Sequence, residues 1–399
     1  NHDDFPYYHF AYTFNLTQSS LDFGIGKINH GFRTPSSIFY LNSLFYLPLI
    51  DYYLINAGAI FIMGFSNIFF LERIFYYLNE KKTDFILFLS LISFILVNTA
   101  FYRIAEHGTD RSALILIFVI IAVILERIGA KKNLNFNQFQ EYNENILILF
   151  FLIISLKSFY LIYGLLLLYW IFENKNFYFK KIYLIQIIKN RITIFFLLGI
   201  ILLFLTNFLN TGCIIYPASL TCFEGFSWSL KIIEVEKMKI WYELWSKAGA
   251  GPNFRVENPQ EYIQNFNWLG NWITEYFFNK VSDFILGVTF LILFVLLLFR
   301  QKLSLKNLKK KNKLIFFFYF ILILLAFEWF SNHPALRYGG YCIFALILFI
   351  PISILLETNK TNYKKFNKTV FLIILLTSII FLTRNVSRIN KEVKIYNYE

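Results

Sequence analysis

Two short polar stretches interrupt an otherwise apolar chain and hold acids that could do chemistry. HDDFPYYHF, residues 2–10, carries Asp3 and Asp4 ahead of Tyr7 and Tyr8; EHGTDR, residues 106–111, carries His107 and Asp110. An ionised carboxylate set against a hydroxyl can act as a general base. Carboxylates are costly near a bilayer, so acids retained there mark a candidate site. Cations occupy similar gaps: Arg33 in NHGFRTP, Lys157 inside the apolar run 146–172, and Arg337 in SNHPALRYGGY. Arginine grips phosphate through a planar fork, and Arg337 has no other charged side chain in its loop, which makes it the leading phosphate ligand. Lys157 needs a partner, and an anionic headgroup would serve as one. Each residue also has a plainer reading. Adjacent acids are usually solvated, Asp110 can simply cap the helix it opens, Lys157 can snorkel to the interface, and His107 and His333 can be polar surface. Asp4, Asp110 and His107 form a set that could hold a divalent metal such as Mg or Mn, with His333 a further weak ligand.

These residues need elements to position them. The chain has 399 residues, 57% of them hydrophobic, and a mean hydropathy of +0.53. That balance excludes an ordinary soluble domain and points to an all-α polytopic membrane protein. The net charge is +13, but the basic residues fall in short loops between apolar runs. That is a topology signal, not a nucleic-acid groove. The abundance of Phe (50) and Tyr (26) reads as compositional bias, so no single one is interpreted. No signal peptide is visible, and the chain opens directly in a polar motif; the expectation is that one transmembrane helix precedes Asn1.

Eight spans are predicted, at 54–71, 85–102, 112–126, 193–209, 283–299, 314–330, 341–356 and 369–383. Basic loops flank residues 146–172 on both sides, so a short helical hairpin turning near Lys157 is preferred to a single crossing. The inner loops are then 72–84, 127–145, 173–192, 300–313 and 357–368. The outer segments are 1–53, 103–111, 210–282 and 331–340. Residues 36–48 read as an amphipathic helix on the outer face with Ser36 or Ser37 at its start. Loop 210–282, with six basic and seven acidic residues, reads as a small extracytoplasmic unit with helices over 227–247 and 259–278. The second opens on an Asn258 cap with Pro259 behind it. Trp268 and Trp272 share one of its faces, and packing is favoured over sugar stacking for them. Cys213 and Cys222 are expected to pair on an oxidising side, restricting the unfolded chain by about 2–3 kcal/mol. Three parts follow: an N-terminal membrane module (1–209), the extracytoplasmic helical loop (210–282) and a C-terminal transmembrane module (283–399).

The order Asp3-Asp4-Phe5-Pro6-Tyr7-Tyr8, Ala11, Gly24 or Gly26, Gly31, Pro35, Tyr40-Leu41 resembles the first outer loop of the GT-C superfamily of integral-membrane glycosyltransferases. Asp110-Arg111-Ser112-Ala113-Leu114 is similar to the acidic position of that family's second outer loop, and Ile154-Ser155-Leu156-Lys157-Ser158 to its Lys-containing hairpin turn. The resemblance spans roughly the first 175 residues. It implies a polyprenyl-phosphate-linked sugar as donor and a glycan or lipid hydroxyl as acceptor. It also implies an extracytoplasmic site in a membrane such as the bacterial inner membrane. One carboxylate suffices as base because the phosphate leaves unprotonated, in contrast to the paired carboxylates of hydrolases. Asp3, with Asp4 as competitor, takes that role. Asp110 orients the acceptor or holds a metal, and Arg337 and Lys157 offset charge on the leaving phosphate. Two other readings stay open: a transporter or flippase of a lipid-linked or anionic solute, and a surface-polysaccharide polymerase or ligase.

Overall fold

The structure, a computed structural model, describes residues 4–19, 22–103, 108–129, 135–251, 254–299, 312–357 and 362–396. A π-helical turn, Phe5–His9, leads into α1 (Phe10–Gln18), followed by α2 (Ser37–Ser43), α3 (Ala57–Asn79), α4 (Phe85–Ala100), α5 (Thr109–Gly129) and α6 (Phe136–Leu156). Next come α7 (Leu165–Glu173), α8 (Lys175–Tyr178), α9 (Lys181–Lys189) and α10 (Arg191–Thr211). The loop beyond α10 holds α11 (Ile232–Ser246) and α12 (Pro259–Ile263), and α13 (Leu269–Trp272) runs through a π-helical stretch into α14 (Ser282–Phe299). The chain closes with α15 (Asn312–Asn332), α16 (Gly340–Leu356) and α17 (Tyr363–Tyr396). Among the described residues there is no strand, only isolated bridges.

Five helical stretches are long and apolar enough to cross a membrane: Ala57–Asn79, Phe136–Leu156, Arg191–Thr211, Leu269–Phe299 and Tyr363–Ile395. This fits an integral membrane protein. The expected spans near 85–102 and 341–356 fall in apolar helices of 16 and 17 residues, and that at 314–330 falls in α15, whose apolar stretch is Phe316–Asn332. The stretch 112–126 lies in α5, which is buried continuously from Ser112 to Leu125. A helix apolar on every side belongs inside a bundle, and α5 packs on α3, α4, α6 and α16. One hydrophobic core runs from Tyr12 to Ile373. The N-terminal and C-terminal modules therefore share a core, and only the loop after α10 adds a small one of its own, around Cys213, Tyr216, Leu230 and Val235.

The chain turns at Lys157 as expected, but only the returning arm is short: the first arm, α6, has 21 residues and is itself long enough to cross. Lys157 is extended (φ −153°, ψ 113°) and breaks α6. The returning chain lays Trp170 on Phe139 (ring centroids 6.0 Å) and Phe177 on the same ring (4.5 Å), and Trp170 Nε1 donates to Asn143 Oδ1 at 3.2 Å. Pairings between the other helices set two ends to the bundle. Asn67 and Asn98 exchange amide hydrogen bonds (3.2 and 2.9 Å), so α3 and α4 are antiparallel. Arg73 meets Glu126 at 3.0 Å, so α3 and α5 run together. Cys342 Sγ donates to the Leu114 carbonyl (3.2 Å), while Phe118 and Phe349 face each other lower down, so α16 runs with α5. Residues 4–19, 22–56, 101–103, 108–110, 157–164, 212–251, 254–268 and 333–340 thus gather at one end. Residues 80–84 and 174–190 lie at the other.

Local signals explain several helix starts. The side chains of Asp84, Asn135 and Asn190 accept from backbone N–H groups in the first turns of α4, α6 and α10. Ser36 and Asn258 do the same for α2 and α12, as the sequence predicts. Three helix extents differ from expectation. The helix expected over 36–48 stops at Ser43. That expected over 227–247 begins only at Ile232, after a turn. That expected over 259–278 breaks after Ile263, where Asn265 and Phe266 adopt positive φ (48° and 62°). The break lets the next helix start afresh with Trp268 and Trp272 buried against Phe330. Cys213 and Cys222 are disulfide-bonded.

The two-ended arrangement predicts opposite labelling. Single cysteines at Leu49, fully exposed at one end, and at Phe179, exposed at the other, should react with a membrane-impermeant maleimide from opposite faces of sealed vesicles. The native cysteines will not interfere, being bonded or buried. Labelling of both from one face would contradict the arrangement.

Candidate functional site

Asp110, in the first turn of α5, receives the ammonium of Lys157 from the turn of the apolar hairpin. Their side chains are 18% and 26% exposed, so the pair is mostly withdrawn from water. The extended backbone at Lys157 aims its side chain at α5 instead of along α6. Burial alone would raise the Asp110 carboxyl, but Lys157 and Arg337, with a smaller contribution from His9, hold it below the usual carboxylate range. Lys157 Nζ also lies 5.0 Å from the centre of the Tyr338 ring.

Arg337 shares Tyr338 with Lys157. Its guanidinium carbon is 4.0 Å from the Trp245 ring centre and 5.0 Å from that of Tyr338, and one Nη donates to the Tyr338 hydroxyl at 3.1 Å. No carboxylate pairs with it among the described residues, and its buried Nε has no hydrogen-bond partner. Burial works against its charge, while Tyr338 and Asp110 favour it strongly enough that the guanidinium stays protonated. The loop is stapled in place. Tyr160 donates to the Arg337 carbonyl (2.8 Å), Trp272 to the Pro334 carbonyl (3.0 Å), Trp329 to the Ala335 carbonyl (2.8 Å), and the Leu336 N–H to the Tyr276 hydroxyl (2.9 Å). Gly339 (φ 109°) gives the turn a conformation open to glycine, and a side chain there would meet Tyr163.

The N-terminal motif reaches the same place through Tyr8. The base of its ring packs against Gly31, where any Cβ would collide with it. Burial raises the Tyr8 phenol, and the charges of Asp4 and Asp110 raise it further against the pull of Arg337. Asp4 and Asp110 therefore flank one phenol. Tyr7 is half exposed and shares a 2.8 Å hydrogen bond with His30 Nδ1. Asp3 and His107 lie outside the described residues.

Arg33 has other work. Its Nε donates to the Gly26 carbonyl (2.8 Å), and its guanidinium is 3.8 Å from Glu234, so it braces α11 against the N-terminal segment instead of joining Arg337. His333 does join the cluster, with its ring against Phe159 (5.4 Å) and Tyr338 (5.7 Å). Burial, then Lys247, Lys157 and Lys239, lowers its pKa to about 4, so it is neutral at ordinary pH. Among the described residues no three His, Cys, Asp or Glu side chains converge as a metal set. The expected set of Asp4, Asp110 and His107 also meets an obstacle: an ion at Asp110 would have to displace an ammonium and sit near a guanidinium.

Sequence reasoning missed Trp245, Tyr338 and the buried Lys247, which pairs with Glu243 and lies 5.1 Å from the Trp268 ring. A signal existed for the first. Val235, Met238, Tyr242 and Trp245 recur at helical spacing, and this is the face α11 turns inward.

The arrangement is an all-helical bundle with a mixed cationic and carboxylate cluster at one end. The chain belongs to the family described as "Domain of unknown function (DUF8201)", whose profile matches residues 21–344. No curated protein and no solved structure matches the chain.

Two stability measurements check this geometry. Asp110→Asn and Lys157→Met should each cost about 2–4 kcal/mol, since each strands a mostly buried charge. The double variant should cost clearly less than the sum; strictly additive losses in thermal unfolding would exclude the pairing. His333 takes a proton more readily unfolded than folded, so its contribution is intact above about pH 6.5 and is lost as pH falls toward 4. The fall in Tm across that window should be shallower in His333→Phe; parallel curves would contradict the buried neutral imidazole.

Proposed function

We propose that this protein is a membrane glycosyltransferase of GT-C type. In this reading it moves a sugar from a polyprenyl-phosphate donor to an acceptor hydroxyl at the end of the bundle that holds the cluster. The observation that carries the reading is Arg337: a guanidinium without a carboxylate partner among the described residues, held in the corner formed by the Trp245 and Tyr338 rings, beside the Asp110–Lys157 pair and near the acidic N-terminal motif. Such a fork fits a phosphate, and the adjoining apolar helices fit its lipid tail. The resemblance of the first 175 residues supports the same class.

The chemistry is an in-line displacement. Asp4 or Asp3 takes the acceptor hydroxyl proton as the oxygen attacks the anomeric carbon, with inversion. The new carbon–oxygen bond forms as the bond to the phosphate oxygen breaks, and the phosphate leaves with the electron pair. Arg337 and the free N–H groups of Lys157 face that growing negative charge. Asp110 keeps Lys157 aimed and orients the acceptor. No step requires a metal; chelation tests the possible use of Mg or Mn. A bacterial inner membrane, with the cluster on its periplasmic face, is the setting this reading implies.

A transporter or flippase would use the same cations to bind an anionic solute, and a polysaccharide polymerase or ligase would act on lipid-linked glycans. The discriminating experiment tests Asp3→Ala and Asp4→Ala singly in membranes supplied with a radiolabelled polyprenyl-phosphate sugar. One of them should lower transfer to glycan by about 10²–10⁴-fold while the protein still accumulates. Transfer unchanged in both, together with donor flux into vesicles that lack an acceptor, would establish the transport reading instead.

A further inference from the structure

At the same end of the bundle, α17 carries a basic cluster that the proposed transfer does not use. The exposed apolar stripe of α17 runs through Leu372, Leu375, Ile379 and Leu382 and continues as Val386, Ile389 and Val393, and from Arg384 onward basic residues run beside it. The Arg384 guanidinium lies flat on Tyr102, 3.9 Å from its ring centre, and donates to the Thr99 carbonyl in the last turn of α4 at 2.6 Å. The rest of the cleft is formed by Arg103, Ser387, Arg388 and Lys391, with Lys394 a turn further on. Glu392 takes only Arg388 (2.8 Å). Neither Lys391 nor Lys394 has an acidic partner among the described residues, and both are exposed.

Two features of this cluster point to a ligand. Basic residues near membrane spans normally serve topology, and in this chain those signals lie in the loops at the opposite end. This cluster lies at the wrong end for that role. It also makes α17 amphipathic from the level of the end of α4 onward, with basic residues beside the exposed apolar Val386, Ile389 and Val393. A phosphodiester headgroup would rest at that height with its acyl chains along Leu382 and Val386. Arginine, lysine, serine and tyrosine donors together match phosphate oxygens.

We propose that the cleft between the end of α4 and residues 384–394 of α17 binds the headgroup of an anionic phospholipid of the surrounding bilayer. The site is separate from the Asp110–Lys157 cluster and independent of the reaction assigned there.

The test uses the full chain reconstituted in phosphatidylcholine vesicles, with spin-labelled phosphatidylglycerol or spin-labelled phosphatidylcholine as the probe of protein-associated lipid. Wild type should favour phosphatidylglycerol by about fivefold, and Lys391→Gln/Lys394→Gln should bring the ratio toward parity. Both lysines are exposed, so this variant folds even if Arg384→Gln, which also frees the end of α4, does not. Lys180→Gln/Lys189→Gln, at the opposite end, should keep the preference. No preference in wild type, or a preference unchanged in the Lys391/Lys394 variant, overturns the proposal. Loss of the preference to inorganic phosphate at constant ionic strength also overturns it, because the ligand would then be free phosphate and not a lipid.

Discussion

The ion pair between Asp110 and Lys157 is the constraint on which the rest of the arrangement depends. Asp110 opens a helix that is buried along almost its whole length. A lone carboxylate withdrawn from water there would be costly, and so would a lone ammonium in the turn of an apolar hairpin. Each is tolerable because the other is present. The pairing joins residues 47 apart in sequence, and it requires the chain to break at Lys157 and return along α6. A straight crossing through that segment would leave both charges without partners.

With that pair in place, the neighbouring charges follow from aromatic packing. The Tyr338 ring lies 5.0 Å from both the Lys157 ammonium and the Arg337 guanidinium, and Trp245, set edge to face with Tyr338, gives Arg337 a second aromatic wall. Aromatic faces favour cations without neutralising them. Lys157 is paired with Asp110, so the positive charge left available near the bilayer is that of Arg337, held by aromatic faces and not by a carboxylate. A neutral His333 beside three lysines belongs to the same economy, since a protonated ring there would add one more unpaired charge. The stapled loop from Pro334 to Gly340 holds Arg337 without help from a ligand, which is the preorganisation expected of a site that stabilises developing charge.

Much of this architecture was legible in the sequence. Apolar runs, basic loops and the Asn258 and Ser36 caps depend on local chemistry, and they placed most helices near their observed positions. The hairpin was legible because two basic loops cannot lie on opposite faces under the charge rule. The disulfide was legible from spacing and side. What the sequence hid was tertiary. The uncharged loop around Arg337 singled that residue out, but nothing local showed that Arg33 is taken up by the Gly26 carbonyl and by Glu234 on α11. The break after Ile263 came from burying two tryptophans against Phe330, a demand set by α15 and not by the residues around the break. Trp245 belongs to the cluster only because α11 is folded back over it.

The central claim is that Arg337, with Lys157 beside it, forms a seat for a lipid phosphate. Equilibrium binding of farnesyl phosphate and of farnesol to the purified protein tests it most directly. The account predicts saturable binding of the phosphate, little binding of the alcohol, and a loss of about tenfold or more in Arg337→Lys, which keeps the charge but removes the fork. Equal affinity for phosphate and alcohol, or an Arg337→Lys protein that binds as wild type does, would contradict it.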